Sequence, residues 1–223
     1  LLGTQPLAAI SFTFPVTFTV LSLTIGLGVG TSAVIAKLLG KKDTKLAKNA
    51  ATAAMYLAAI IVACLSLVGY FITDPLFTLL GAQSSLLPLI HQYLDIWYIG
   101  SVFLIGPIIG NAVLRASGDT KTPSMIMGSA GLINAVLDPI FIFGLGPIPA
   151  MGMTGIGVAT VLCQVIALLL LLNKIAKLKT IKLITSKYFY PNISFLKKIF
   201  YQSAPISAAL FMISVGNFII LAY

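Results

Sequence analysis

The chain has 223 residues and no glutamate; it carries one histidine, two cysteines and five aspartates. Charged residues make up 9% of it, against about a quarter in soluble globular proteins, which excludes a water-solvated surface around the whole chain. Cys64 and Cys163 stand 99 residues apart, and no His/Cys/Asp cluster has metal-ligand spacing. Both cysteines fall inside apolar runs, where they read as small core residues that say nothing of redox compartment. His91 and Asp95 sit one helical turn apart and read either as a proton-handling pair or as a solvated helix start. An enzyme reading therefore has little to draw on.

What the chain has is apolar length. A membrane-spanning helix needs about 20 largely apolar residues. Six segments meet that need: Pro6 to Ile35, Ala50 to Ile72, Leu87 to Leu114, Pro123 to Leu145, Thr154 to Leu172, and Ala204 to Tyr223. The third is crowded by Pro88, His91 and Asp95, so its span-competent part is nearer Ile96 to Leu114. Leu1 opens neither a basic n-region nor a signal peptide. The last segment is still apolar at Tyr223, so the chain is expected to be part of a longer protein.

Fourteen basic residues against five acids give a net charge of +9. Their placement is regular. Lys37, Lys41, Lys42, Lys45 and Lys48 separate the first two segments, and Arg115 and Lys121 separate the third and fourth. Lys174, Lys177, Lys179, Lys182, Lys187, Lys197 and Lys198 separate the last two. The alternate connections, 73–86 and 146–153, hold none. The positive-inside rule makes the basic connections cytoplasmic. A lipid bilayer is thus the expected partner of this charge, and nucleic acid is not. The stretch Asn192 to Gln202 places Ile193, Leu196, Ile199 and Phe200 at helical spacing beside two lysines. It reads either as a surface amphipathic helix or as a basic start to the sixth span.

Glycines recur at helical spacing. Gly26-Leu-Gly-Val-Gly30 lacks the preceding strand that a dinucleotide fingerprint requires. Gly26 with Gly30, and Gly106 with Gly110, instead form small-xxx-small faces that let helices approach closely in lipid. No metal site is expected beyond a possible Na⁺ at Asp138, and no cofactor.

Asp138 is the acid that breaks the pattern. Asp43, Asp74, Asp95 and Asp119 lie in connections or at span ends, whereas Asp138 lies about 25 Å along its helix from Lys121. A charged aspartate in hydrocarbon costs at least about 2.5–3.5 kcal/mol. Asn134 sits one turn earlier on the same face. Pro139 has no N–H, so it frees the carbonyl of Ala135 and is expected to break or bend the helix at the site. Carboxylate, amide oxygen and freed carbonyl are hard oxygen ligands suited to Na⁺, or a pocket for H⁺. Broken helices of this sort mark ion sites in secondary transporters. On the following span Thr160 and Gln164 stand at i, i+4; Thr160 is expected either at the level of Asp138 or bonded to its own backbone.

Asn134-Ala-Val-Leu-Asp138-Pro-Ile-Phe-Ile-Phe-Gly followed by Gly152-Met-Thr-Gly-Ile-Gly-Val-Ala-Thr160 resembles the fifth and sixth helices of the multidrug and toxic compound extrusion (MATE) transporters. Arg115-Ala-Ser-Gly-Asp-Thr-Lys-Thr-Pro123 is similar to that family's cytoplasmic turn between helices four and five. Gly30-Thr-Ser-Ala-Val-Ile-Ala-Lys-Leu-Leu-Gly-Lys-Lys-Asp43 is similar to the end of its second helix. The resemblance implies an all-α polytopic membrane bundle, one lobe of a twelve-helix transporter, covering roughly helices two to seven. The first helix and the C-terminal lobe of the parent protein would then be missing. It divides the chain into an N-lobe bundle at 1–173, a basic cytoplasmic linker at 174–203 and the start of a C-lobe span at 204–223.

The resemblance also implies a non-enzymatic function: antiport, in which H⁺ or Na⁺ drives export of small organic, often cationic, compounds across the plasma membrane (the inner membrane in a bacterium). It assigns cation coupling to Asp138, Asn134 and Thr160, with a further acid on the missing first helix. An alternative of the same superfamily is a lipid-linked sugar or polysaccharide flippase. That function would be expected to line its cavity with basic residues, and no basic residue falls deep within a span. A channel would be expected to show a polar stripe, which is not evident.

Overall fold

A computed structural model of the chain describes residues 3–177 and 193–222. Those residues form seven helices: α1 Thr4–Gly40, α2 Thr44–Leu79, α3 Leu87–Gly100, α4 Val102–Ala116, α5 Lys121–Phe143, α6 Met153–Lys177 and α7 Ile193–Ala222. Five of them are long and apolar enough to cross a bilayer, and α3 with α4 makes a sixth, bent span. Apolar side chains line the outside as well as the core: Phe71 is 72% exposed and Leu79 85%. Such an exterior suits lipid. Cys64 belongs to it, so the expectation that both cysteines are core residues holds only for Cys163.

The third segment differs from the single run expected. It bends by 50° between α3 and α4, at Gly100-Ser101. A Gly/Ser pair is a recognised cause of a kink. The Ser101 hydroxyl donates to the Tyr98 carbonyl at 2.7 Å and lies 2.8 Å from the Ser66 hydroxyl of α2. Gly100 is packed against Val161 of α6, leaving no room there for a side chain.

The sixth segment also differs. Residues 193–202 and the apolar run after them form one continuous helix, so the basic stretch is the start of the span and not a separate surface helix. Ile199 and Phe195 are buried, whereas Lys197 and Lys198 are exposed. The middle of the expected linker, 178–192, lies outside the described residues.

α1 is the axis of the bundle, packed against α2, α3, α4 and α7, while α5 packs chiefly on α6 at the periphery. With no water in the hydrocarbon, several of α1's hydroxyls bond to their own helix: Thr13 to the Ile10 carbonyl at 2.7 Å, and Thr24 to the Val20 carbonyl at 2.7 Å. The α1–α7 seam is built on small residues. Gly26 faces Ser207 and Gly30 faces Ser203, so closely that a Cβ would stand 2.8 Å and 2.9 Å from the two serine backbone nitrogens. Farther along, Ser214 donates to the Pro15 carbonyl at 2.9 Å and lies 2.6 Å from the Thr19 hydroxyl. Gly106 and Gly110 receive Leu168 and Leu171 of α6.

Antiparallel succession of the spans puts the described lysines and Arg115 at one end of the bundle. Two aspartates cap helices there. Asp43 accepts the Leu46 N–H at 3.0 Å, starting α2. Asp119 accepts the Thr122 N–H at 2.9 Å and its hydroxyl at 2.6 Å, starting α5. The Thr122 hydroxyl, and then its N–H, hold the Asp119 carboxyl below the usual carboxylate range. Its cap is therefore in place above the ordinary value and is lost only as pH falls through the lowered one.

The seam makes a direct comparison of glycines possible. Gly26→Ala or Gly30→Ala is expected to lower thermal stability in detergent by about 1–3 kcal/mol, because backbone faces the new methyl. Gly128→Ala on α5 meets open space. It is expected to be neutral or to stabilise by up to about 1 kcal/mol through helix propensity.

Candidate functional site

The site is set by how α5 ends and α6 begins. α5 ends at Phe143, and Gly144 follows with φ +78°, a left-handed conformation that a side chain would strain. A Cβ there would also stand 2.8 Å from the Ile148 carbonyl oxygen. The turn closes tightly: the Met151 N–H donates to the Phe141 carbonyl at 2.9 Å, and the Gly152 N–H to the Ile142 carbonyl at 3.2 Å. These bonds satisfy carbonyls left over at the end of α5. Gly155 then lies directly against the Phe141 backbone. The last turns of α5 are thus fixed beside the first turns of α6.

Asp138 lies in that fixed part, half-buried. The Asn134 amide donates to Asp138 Oδ1 at 3.2 Å, across one turn of α5. The bond leaves Asp138 Oδ2 and the Asn134 carbonyl oxygen available to a ligand. Asp138 and Pro139 line a cavity of about 370 Å³ with Pro6, Leu7 and Ile10 of α1 and Ile156 of α6. An acid otherwise surrounded by apolar side chains therefore opens onto the gap between the start of α1 and the end of α5.

Three expectations for the site meet different outcomes in the structure. Asn134 and Asp138 are brought together. Thr160 is not bonded to them: its hydroxyl donates to the Ile156 carbonyl at 2.9 Å, one turn back on α6. The break expected at Pro139 is absent, because α5 runs through it without interruption. Pro139 has no N–H, so the Ala135 carbonyl is deprived of its intrahelical partner while the helix continues.

Two neighbours were not singled out in the sequence. Tyr93 of α3 and Cys163 of α6 both lie near Asp138. Cys163 stands three residues after Thr160, so helical spacing on α6 was the available signal. Tyr93 carries no such signal, because only the packing of α3 on α6 brings it near.

A second polar cluster stands apart, at the end of the bundle remote from the lysines. His91 Nε2 lies 2.8 Å from Asp74 of α2, and its Nδ1 lies 3.2 Å from Asp95. The His91–Asp95 pair is therefore a bridge that reaches the preceding helix as well. An imidazole donates through both nitrogens only in its protonated form. Among the described residues no group of three or more His, Cys, Asp or Glu is arranged to hold a metal ion.

A third feature is an apolar cavity of about 230 Å³ between α1, α2 and α7. Leu23, Leu27, Ile61, Phe200 and Phe211 form its walls, and Ser203 and Ser207 its polar edge. Its character suits an organic molecule more than an ion.

Substitution separates the roles of the two polar neighbours on α5 and α6. Asn134→Leu is expected to destabilise the protein by about 1 kcal/mol, since Asp138 loses its amide partner. Thr160→Val is expected to stay within about 0.5 kcal/mol of the native protein, since its hydroxyl serves only its own helix. Thermal unfolding in detergent measures both.

Comparison with known proteins places this arrangement. The chain matches the family model MatE over residues 1–140. It is 46% identical over 167 residues to a FAD transporter of Shewanella oneidensis, covering 75% of this chain and 37% of that protein. It is 35% identical to the probable multidrug resistance protein YpnP of Bacillus subtilis, over 76% of this chain and 37% of that one. It is 28% identical to the multidrug export protein MepA of Staphylococcus aureus, over 97% of this chain and 50% of that one. Among solved structures, an inward-facing multidrug resistance MATE family transporter superposes with a TM-score of 0.89 at 30% identity, over 97% of this chain and 49% of that one. An outward-facing conformation superposes with a TM-score of 0.85 at 31% identity, over 96% and 47%. The chain thus spans between about a third and a half of the proteins it matches.

Proposed function

The chain belongs to the MatE family of multi-pass membrane transporters, and we propose that it forms one half of a secondary active transporter that exports small organic compounds in exchange for H⁺ or Na⁺. One observation carries the coupling: Asp138, the acid placed inside a span, is held by Asn134 and opens onto the cavity between α1 and α5. Charged, it favours a bound cation; protonated, it is the cheaper species in a dry site. A ligand that binds two conformations unequally shifts their populations, and a cation at Asp138 acts in this way. Thr160 enters the site only if its hydroxyl turns away from Ile156, so its part belongs to the cation-bound state. Pro139 acts by freeing the Ala135 carbonyl and not by interrupting α5.

The likeness to both inward-facing and outward-facing relatives, over nearly the whole chain, supports a helical body that keeps its fold while access alternates. In this reading α7, which starts at Ile193, leads on to a second body. The basic connections face the cytoplasm in this reading, and the protein lies in the plasma membrane. A lipid-linked sugar flippase is the weaker reading, because the described basic residues gather at one end of the bundle and none stands at Asp138.

The cargo has two readings. Export of organic, often cationic, compounds is the reading that relatives named as multidrug transporters support. Export of a flavin nucleotide is favoured by 46% identity to a FAD transporter.

Vesicles containing the protein that carries this chain test both points. With an imposed H⁺ or Na⁺ gradient, Asp138→Asn is expected to reduce gradient-driven movement of the cargo at least tenfold while leaving cargo binding in place. Undiminished movement would refute the coupling role of Asp138. Parallel assays with a fluorescent cationic dye and with FAD decide the cargo: the one moved by the native protein against its own gradient is the substrate.

A further inference from the structure

The turn between α1 and α2 and the start of α7 enclose a cleft of about 590 Å³ at the basic end of the bundle. Its walls include Leu38, Lys41, Asp43, Leu46, Phe195 and Lys198. The two lysines come from distant parts of the sequence. Lys41 caps the end of α1, and Lys198 lies on the second turn of α7. The turn is fixed by Lys42, whose φ of +61° lets the chain reverse, and by the Asp43 N–H, which donates to the Leu38 carbonyl at 3.1 Å.

The cleft is net positive: two lysines stand against one acid, Asp43, whose Oδ1 accepts the Leu46 N–H as the cap of α2. Among the described residues neither Lys41 nor Lys198 has an acid within ion-pair distance. Leu38, Leu46 and Phe195 form apolar walls beside Ser194, and exposed apolar surface continues away from the cleft: Leu46 is 38% exposed, Phe200 52% and Tyr201 75%. A soluble anion would use the two ammonium groups and leave these apolar surfaces wet. A phospholipid uses both, its phosphate on the lysines and its glycerol and first methylenes on the walls.

We propose that this cleft binds the headgroup phosphate of an anionic phospholipid, which bridges the α1–α2 turn to α7. The site does not depend on Asp138 or on the identity of the cargo. It rests on the basic end of the bundle lying at headgroup level. Detergent exposes both ends equally, so a failed lipid assay and a wrong orientation are distinguishable.

The protein that carries this chain, purified in an uncharged detergent, is titrated with dihexanoyl phosphatidylglycerol while thermal unfolding is followed. A saturable rise in melting temperature is expected, with none from dihexanoyl phosphatidylcholine. In Lys41→Gln/Lys198→Gln the half-effective concentration is expected to rise at least tenfold. In Lys48→Gln/Lys121→Gln, which removes equal charge away from the cleft, it should move less than twofold. Lys41→Arg/Lys198→Arg keeps both charges and is expected to bind as the native protein does, which separates a lost contact from a fold defect. The proposal is overturned by any of three results: no saturable effect, equal losses in the two glutamine pairs, or an equal rise with inorganic phosphate at the same concentrations.

Discussion

Hydrocarbon offers no water to a backbone N–H or C=O, and nearly everything in this molecule follows from that. Each span must satisfy its own peptide groups, so the described residues are almost entirely helical. The same scarcity sends serine and threonine hydroxyls back to carbonyls of their own helices. Thr160 obeys this rule in bonding to Ile156. Ser214 departs from it by reaching the Pro15 carbonyl on α1, a bond that ties α7 to the axis of the bundle. Helices that gain little from excluding water must gain from contact, which is why Gly26 and Gly30 sit against serines.

Against that background a carboxylate inside a span is the costly exception. Its cost is lowered by position more than by pairing. Asp138 stands five residues from the end of α5, accepts one amide N–H, and faces a cavity. Among the described residues no cation offsets it, since the described lysines and Arg115 gather at the other end. A site with unused oxygen ligands and no resident positive charge is suited to a cation that arrives and leaves. Removing the carboxylate should therefore cost the protein its coupling and not its fold.

Much of this was legible in the sequence because bilayers impose simple patterns. Spans show as apolar runs and their alternation as clusters of lysine, so the bundle and its span count could be read directly. Asp138 stood out because it alone broke that pattern, and Asn134 followed from helical spacing. Packing across helices was less legible. Nothing in the local sequence placed Tyr93 near Asp138 or joined Asp74 to His91, since both depend on how separate helices meet. The bend at Gly100-Ser101 was visible only as two small residues in an apolar run. Pro139 does not interrupt its helix because a proline removes one intrahelical bond, and α1 and α7 likewise run through Pro15 and Pro205. For Thr160 spacing left two readings open, and the structure shows the second, its hydroxyl bonded to its own helix.

The account stands on Asp138 being the group that exchanges one cation for another state of the protein. Infrared difference spectroscopy on the membrane-embedded protein observes that group itself. Adding Na⁺, or lowering the pH, should perturb a carboxyl stretching band that is absent from the Asp138→Asn variant. If neither addition perturbs a carboxyl band, or if the band persists unchanged in the variant, the central claim is contradicted.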